Sequence, residues 1–323
     1  INNFVSIILL FLSLIIFLSA DRIIGLLAPG LTSEVHRIAV MQLKIMSPLS
    51  FFSGLIGIGF GSLNAKNKFF ISSISPLISS IVIITMIGFY WINNKGEFIT
   101  YNYALKGGII LAVATLAGGI MQWIIQIPSL IKYGLLNIKW AWDPSDSGVK
   151  EVLKIIIPAT FSSGMLQINV FTDLFFASGI AGAASGMSYA SFIFLAPLGL
   201  ISNTIIVPLL PTYSKLFNSG NIKELTKKIR QGLFLSLATM IFLGAIFISL
   251  GTLIVQLIYE RGAFDEKAVS LVSGLLIAYG IGMPAYLSRD LIVRIFYSID
   301  DTKTPFNLSS IGICLNILFD WIL

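Results

Sequence analysis

The chain contains nine successive apolar runs, each long enough to cross the roughly 30 Å of hydrocarbon in a bilayer. They cover residues 4–20, 38–62, 70–92, 104–130, 152–177, 184–210, 232–258, 268–297 and 306–323. Period-two alternation is absent from them, so they predict helices rather than barrel strands. Charged residues make up 11% of the chain, against about 25% in soluble domains. The sequence therefore predicts an all-α polytopic membrane protein.

Lys and Arg residues are distributed unequally between the two predicted sides of the membrane. One set of loops carries twelve and the opposite set carries six. Because basic loops stay in the cytoplasm, residue 1 is predicted to lie on the cytoplasmic side. No basic patch with interleaved aromatic residues suggests nucleic acid, and a single Cys314 and a single His36 leave no metal-ligand cluster. We therefore expect neither a nucleic-acid partner nor a bound metal.

Two pairs of stretches suggest that the chain is built from two related lobes. Met283–Pro305 resembles Met46–Phe69, and Tyr259–Pro284 resembles Leu27–Pro48. The alternative is that any two membrane helices look alike at this level. If the repeat is real, the lobes are residues 1–132 and 152–323, joined by a cytoplasmic connection at 133–151. On this reading two helices are expected before the first lobe, and more after residue 323.

Several charged residues lie inside predicted spans, where they are costly and usually functional. Arg289, Asp290 and Arg294 fall within the eighth run. Asp290 and Arg294 have the i, i+4 spacing that lets the two side chains neutralise each other, which leaves Arg289 for an anionic ligand or another helix. Lys44 lies near the entrance of the second run, where it either meets substrate or extends to the interface.

Asp173 lies within the fifth run, and Gln167 and Asn169 precede it. Such polar residues in an apolar helix favour a face turned away from lipid. The functional interpretation is a substrate or cation site in which Asp173 takes part in ion coupling. The structural alternative is a buried carboxylate that ties helices together.

Prolines and glycines interrupt the predicted spans. Proline frees a backbone carbonyl and weakens its helix, as in the hinges of transporters. The candidate hinge residues are Pro48, Pro158, Pro197 and Pro284. Gly57 and Gly61 form a GxxxG pattern, which predicts close packing of the second helix.

Seven motifs, in order along the chain, resemble the MurJ/MviN family of bacterial lipid II flippases. They are APGL (Ala28–Leu31), SLNAKNKFF (Ser62–Phe70), QINVFTDLFFAS (Gln167–Ser178), YASFIFLAPLGL (Tyr189–Leu200), VPLLPTYS (Val207–Ser214), ERGAF (Glu260–Phe264) and RIFYSIDDTKTP (Arg294–Pro305). The resemblance implies fourteen helices in two pseudo-symmetric lobes around a central cationic cavity. The nine runs here would be the third to the eleventh, so that the chain lacks the first two helices and the last ones.

The resemblance also implies a function. The protein would flip an undecaprenyl-diphosphate-linked peptidoglycan precursor, lipid II, across the bacterial inner (plasma) membrane by alternating access. It would be a transporter rather than an enzyme, monomeric, without a cofactor, and driven by a coupling cation or the membrane potential. Lys44, Asp173 and Arg294 match family positions. Phe192 and Leu195 depart from the family pattern, because many members have Arg and Glu around this stretch.

Two rival functions remain at this stage. The MurJ/MviN family belongs to the multidrug/oligosaccharidyl-lipid/polysaccharide exporter superfamily, which also includes polysaccharide-lipid flippases and drug/cation antiporters. The basic residues inside the spans argue against a drug exporter. A membrane enzyme acting on polyprenyl lipids would need clustered carboxylates. The best pair is Asp300 and Asp301, and its position suggests turn chemistry instead.

Overall fold

The structure is a computed structural model that describes residues 2–94, 101–135, 164, 167–299, 301 and 303–322. In these ranges the regular secondary structure is helical. The chain divides into two compact units, Ile1–Gly164 and Met165–Leu323, and each is described by itself. The boundary falls after the predicted connection at 133–151, of which residues 136–151 lie outside the described ranges.

The described part of the first unit is helical. Its helices are α1 (Asn2–Leu27), α2 (Ser33–Met46), α3 (Leu49–Ala65), α4 (Phe69–Asn93), α5 (Tyr101–Ile124) and α6 (Ile127–Lys132). α1 packs against α2 and α3, and α5 packs against α2, α3 and α4. α5 is thus the helix that joins the rest of this unit.

The described part of the second unit is built around two long helices. Its elements are α7 (167–177), α8 (Ala183–Ile201), a π-helical segment (Ser202–Ile206), α9 (Val207–Asn218), α10 (Ile222–Tyr259), α11 (Glu266–Ser298) and α12 (Lys303–Ile322). α11 packs against α8, α9 and α10. The apolar core runs along α10 and α11 and includes the fully buried Met240, Leu276, Met283 and Leu287.

The predicted all-α multi-pass fold is confirmed. Seven helices in the described ranges are long and apolar enough to cross a membrane. α2 and α3 pass the same test only as a pair, which is bent by 42° at the break between them, and they add an eighth span if the pair is counted as one. The fifth predicted span, 152–177, lies outside the described residues as far as residue 163. These observations agree with the predicted count of about nine.

In two Ser-Pro dipeptides of the first unit, the serine hydroxyl donates to the backbone carbonyl that the proline leaves without a helical donor. Pro48 and Pro76 have no N–H, so the carbonyl four residues earlier loses its helical partner. The serine before each proline replaces that donor, Ser47 at 2.9 Å and Ser75 at 3.2 Å. The chain nevertheless breaks between α2 and α3 at Pro48, whereas α4 continues through Pro76.

α11 continues through Pro284 without a break. This proline deprives the carbonyl of Gly280 of its helical N–H. The carbonyl lies against Gly244 of α10, where a side chain in place of the glycine would meet it. The lack of a Cβ at Gly244 therefore allows the two backbones to approach closely at this point.

The turn between α11 and α12 is closed by Asp301. Its carboxylate accepts hydrogen bonds from the backbone N–H groups of Thr304 (3.0 Å) and Lys303 (3.1 Å) and from the Thr304 hydroxyl (2.7 Å). The interpretation of Asp301 as a turn residue is confirmed, while Asp300 lies outside the described residues. The hydrogen bonds from Thr304, backbone first, lower the pKa of Asp301 below its ordinary value of 3.8.

We expect Asp301→Ala to lower the thermal stability of the complete protein at neutral pH. The folded-state pKa of Asp301 is below the unfolded value, so its contribution is present above about pH 4 and is lost as the pH falls through the folded pKa. The difference in melting temperature between wild type and variant should thus be constant from about pH 7 to 5 and shrink below about pH 4. Melting curves in detergent, followed by circular dichroism, measure it. An equal difference at neutral and acid pH would contradict a role for the charge.

Candidate functional site

Asp290 and Arg294 form an ion pair within α11. Arg294 Nε donates to Asp290 Oδ2 at 3.0 Å, and both side chains are about one-third exposed. Ser202, in the π-helical segment, donates to the same oxygen at 3.2 Å. The i, i+4 partnership suggested by the sequence is present, and Asp290 neutralises Arg294.

Arg289 is exposed on a neighbouring face of α11. Its Nη2 donates to Ser309 Oγ of α12 at 3.3 Å. In the part of the chain that the structure describes, no carboxylate lies within salt-bridge distance of this guanidinium. Its positive charge is therefore uncompensated there, which suits an anionic ligand.

Two carboxylates from different helices meet at Asn316. Its Nδ2 donates to Asp173 Oδ1 of α7 and to Asp320 Oδ2 of α12, both at 3.0 Å. Because both oxygens accept from the same nitrogen, the two carboxylates lie close together. Two carboxylates this close repel each other unless they share a proton or a cation. Among the described residues no group of three or more His, Cys, Asp or Glu could hold a metal ion.

These contacts give α12 one polar face. Ser309 and Asn316 are seven residues apart, about 10.5 Å along the helix, and Asp320 follows one turn later. The face thus meets a cation near one end and carries carboxylates near the other. None of the site residues predicted from the sequence lies on this helix. The signal was present, because Asn316 and Asp320 are an i, i+4 polar pair within an apolar run.

The remaining predicted residues of α7 lie on different faces. Asn169 and Asp173 are one turn apart and share a face, whereas Gln167, two residues before Asn169, projects elsewhere. Asp173 itself lies one turn before the last helical residue, 177. Of the predicted hinges, Pro197 lies near the end of α8, and Pro158 lies outside the described residues.

Lys44 lies in the last turn of α2, just before the bend at Pro48. It is exposed, and its Nζ is 5.9 Å from the centroid of the Phe17 ring of α1. Beside it is an open groove of about 480 Å³, lined by Leu10, Phe11, Ser13, Leu14, Phe17, Ser47 and Pro48. A cation beside an apolar groove suits an amphiphile with an anionic head group.

The chain is similar to lipid II flippases along its whole length. The family model described as "Lipid II flippase MurJ" matches residues 1–323. The "Probable lipid II flippase MurJ" of Synechocystis sp. is 48% identical over 322 residues, which cover 100% of this chain and 60% of the relative. The "Lipid II flippase MurJ" of Thermosipho africanus is 32% identical over 323 residues, covering 99% and 62%.

Two solved structures have a similar fold. A lipid II flippase MurJ in an inward closed conformation matches with a TM-score of 0.79 at 30% identity, covering 99% of this chain and 66% of that one. An inward-facing multidrug resistance MATE family transporter of the MOP superfamily matches with a TM-score of 0.69 at 15% identity, covering 98% and 69%. The second match shows the fold alone.

The chain spans about 60% of the length of these curated relatives. The family match, by contrast, extends over every residue of the chain. Because of that match and the 48% identity to one relative, the chain belongs to the MurJ family of lipid II flippases, which are multi-pass proteins of the bacterial inner membrane.

Proposed function

We propose that the complete protein moves lipid II, a diphosphate-linked peptidoglycan precursor, across the inner membrane by alternating access of two lobes. The observation that carries this proposal is that, among the described residues, one basic residue in the predicted spans is neutralised by a carboxylate and the others are not. Asp290 neutralises Arg294, whereas Arg289 has no described carboxylate partner. Lys44 is likewise exposed and lies beside an aromatic ring rather than an acid. Arg289 is therefore a better candidate than Arg294 for contact with diphosphate.

A diphosphate loses its hydration when it leaves water for a membrane interior. Cations in a low-dielectric cavity offset part of this cost, since charges attract far more strongly there than in water. The lipid tail can stay in the bilayer while the head group crosses. Phe192 and Leu195, which are exposed on α8, offer it no charge, so this member depends more on Lys44 and Arg289. Helices weakened at Pro48, Pro197 and Pro284 would accommodate the rocking of the lobes.

The carboxylate pair suits the coupling step. Asp173, Asp320 and the amide of Asn316 would hold a proton or a monovalent cation, and occupancy would then favour one arrangement of the lobes. Alternatively, the membrane potential acts on the cationic site, with about 2.3 kcal/mol per charge per 100 mV.

The test is translocation of lipid II by the complete protein in vesicles. We expect Lys44→Ala to raise the half-saturating lipid II concentration about fivefold, as the loss of one cation near a phosphate predicts. Asp173→Asn should lower the rate at least about tenfold and abolish any dependence on a cation gradient, because the shared site loses a charge.

Glu266→Gln, a carboxylate change in the first turn of α11 and away from the cluster, is the matched control. Unchanged transport in both Lys44→Ala and Asp173→Asn would remove these residues from the mechanism. Transport of a cationic drug, with no transport of lipid II by the wild type, would contradict the proposed substrate.

A further inference from the structure

Two lysines of the first unit converge on one tyrosine. Lys68 Nζ lies 5.1 Å from the centroid of the Tyr133 ring, and Lys132 Nζ lies 5.9 Å from it. Lys68 comes from the turn between α3 and α4, and Lys132 is the last residue of α6. All three side chains are exposed. The backbone that carries Tyr133 is fixed, because its N–H donates to the Ser129 carbonyl at 3.1 Å.

Nothing in the sequence nearby balances these charges. Glu34 and Glu97 are the nearest acidic residues before and after Lys68, and the next acidic residue after Lys132 is Asp143. An exposed cation–π contact is a weak attraction and leaves the charge of the ammonium group intact. Two positive charges near one ring therefore repel each other, and a bound anion would relieve that repulsion.

The location defines the kind of anion. One membrane span begins at Phe69, directly after Lys68, and another ends at Lys132. Each lysine thus lies at an end of a membrane span, and their shared contact with Tyr133 places both on the same side of the membrane. This is the depth of lipid head groups, where tyrosine is also preferred. Phe69, Phe70 and Ile131 beside them are 54%, 72% and 61% exposed and offer apolar surface to acyl chains.

We propose that Lys68, Lys132 and Tyr133 bind the phosphate of an anionic membrane phospholipid, such as phosphatidylglycerol. The two ammonium groups donate to its non-bridging oxygens, the tyrosine ring holds them together, and the acyl chains lie along the exposed apolar residues. The site belongs to the first unit alone and does not depend on which substrate the protein transports. The turn between α11 and α12 differs from the turn that carries Lys68, because the carboxylate of Asp301 already provides a negative charge there.

The test uses the complete protein in detergent, titrated with phosphatidylglycerol or with phosphatidylcholine of the same acyl chains, and native mass spectrometry counts bound lipid. We expect phosphatidylglycerol to bind more tightly, and Lys68→Gln/Lys132→Gln to weaken its binding about tenfold to thirtyfold without affecting phosphatidylcholine. Tyr133→Leu, which keeps both charges, should weaken it about threefold to fivefold, as the loss of a ring contact predicts.

The matched control is Lys66→Gln/Lys215→Gln, which removes the same charge from two exposed lysines outside the ring contacts. It should leave the affinity for phosphatidylglycerol within about twofold of wild type, because the described contacts of the Tyr133 ring are with Lys68 and Lys132. An equal loss in this control, or equal binding of the two lipids, would overturn the proposal. Displacement of the lipid by millimolar inorganic phosphate would identify a site for a soluble anion and overturn the assignment to a head group.

Discussion

Gly244→Val is expected to separate α10 from α11 and to destabilise the second unit by about 3 kcal/mol, at the upper end of overpacking effects. The new Cβ would meet the carbonyl of Gly280, which belongs to the backbone and moves only with its helix. That carbonyl is also the one that Pro284 leaves without a helical donor. The separation would open the apolar core around Met240 and Leu276. The midpoint of thermal unfolding of the complete protein in detergent measures the loss.

Gly274→Val on α11 is the matched control. It introduces the same β-branched side chain, but an added Cβ there meets no atom of the described residues within 4 Å. It should leave the stability unchanged or raise it by less than about 1 kcal/mol, because valine has a slightly better helix propensity than glycine. Equal unfolding midpoints for the two variants would contradict the close approach of Gly244 to Gly280.

Gly59→Ala is expected to displace Gln126 from its buried position and to cost about 1–3 kcal/mol. Gln126 is fully buried, and its Nε2 donates to Ser75 Oγ at 3.1 Å. Its Oε1 has no hydrogen-bond partner among the described residues and lies where a Cβ on Gly59 would be. Displacement of Gln126 breaks its hydrogen bond to Ser75. The hydroxyl of this serine donates to the carbonyl that Pro76 leaves without a helical N–H. Thermal unfolding in detergent again reports the change.

Two comparisons isolate this contact. Gly57→Ala and Gly61→Ala, on the same helix, should not destabilise the protein, because a Cβ at either position meets no described atom within 4 Å. In a Gln126→Ala background, Gly59→Ala should cost nothing further, since the clashing group is gone. A full additional loss in that background would mean that Gly59 is needed for another reason.

The glycines of α3 show where sequence reasoning stopped. The GxxxG spacing predicted close packing at Gly57 and Gly61, yet among the glycines of α3 the buried one is Gly59. Spacing identifies a face of a helix but not the neighbour that faces it. Gln126 lies 67 residues later in the chain, and only the packing of α3 against α6 brings it to Gly59.

The candidate site likewise contains one contact that local spacing predicts and others that it does not. Local spacing was sufficient to predict the partnership of Asp290 with Arg294, because i, i+4 side chains on a helix are neighbours whatever surrounds them. Asp173 was identifiable as a carboxylate in an apolar run, but its partners Asn316 and Asp320 were not. They come from a helix more than a hundred residues away, and no pattern within either helix specifies that contact.

The sequence by itself determined that this chain crosses a membrane as helices, since long apolar runs have no other way to satisfy their backbone in lipid. It also determined where those helices lose a hydrogen bond, because each proline removes one N–H. Only the tertiary structure decided what each loss does. At Pro48 the chain bends by 42°, whereas at Pro284, where the freed carbonyl lies against Gly244 of α10, the helix runs on. The loss of each hydrogen bond is local, but Pro48 and Pro76 have the same serine replacement and only Pro48 coincides with a break, so local chemistry alone does not decide whether a helix bends.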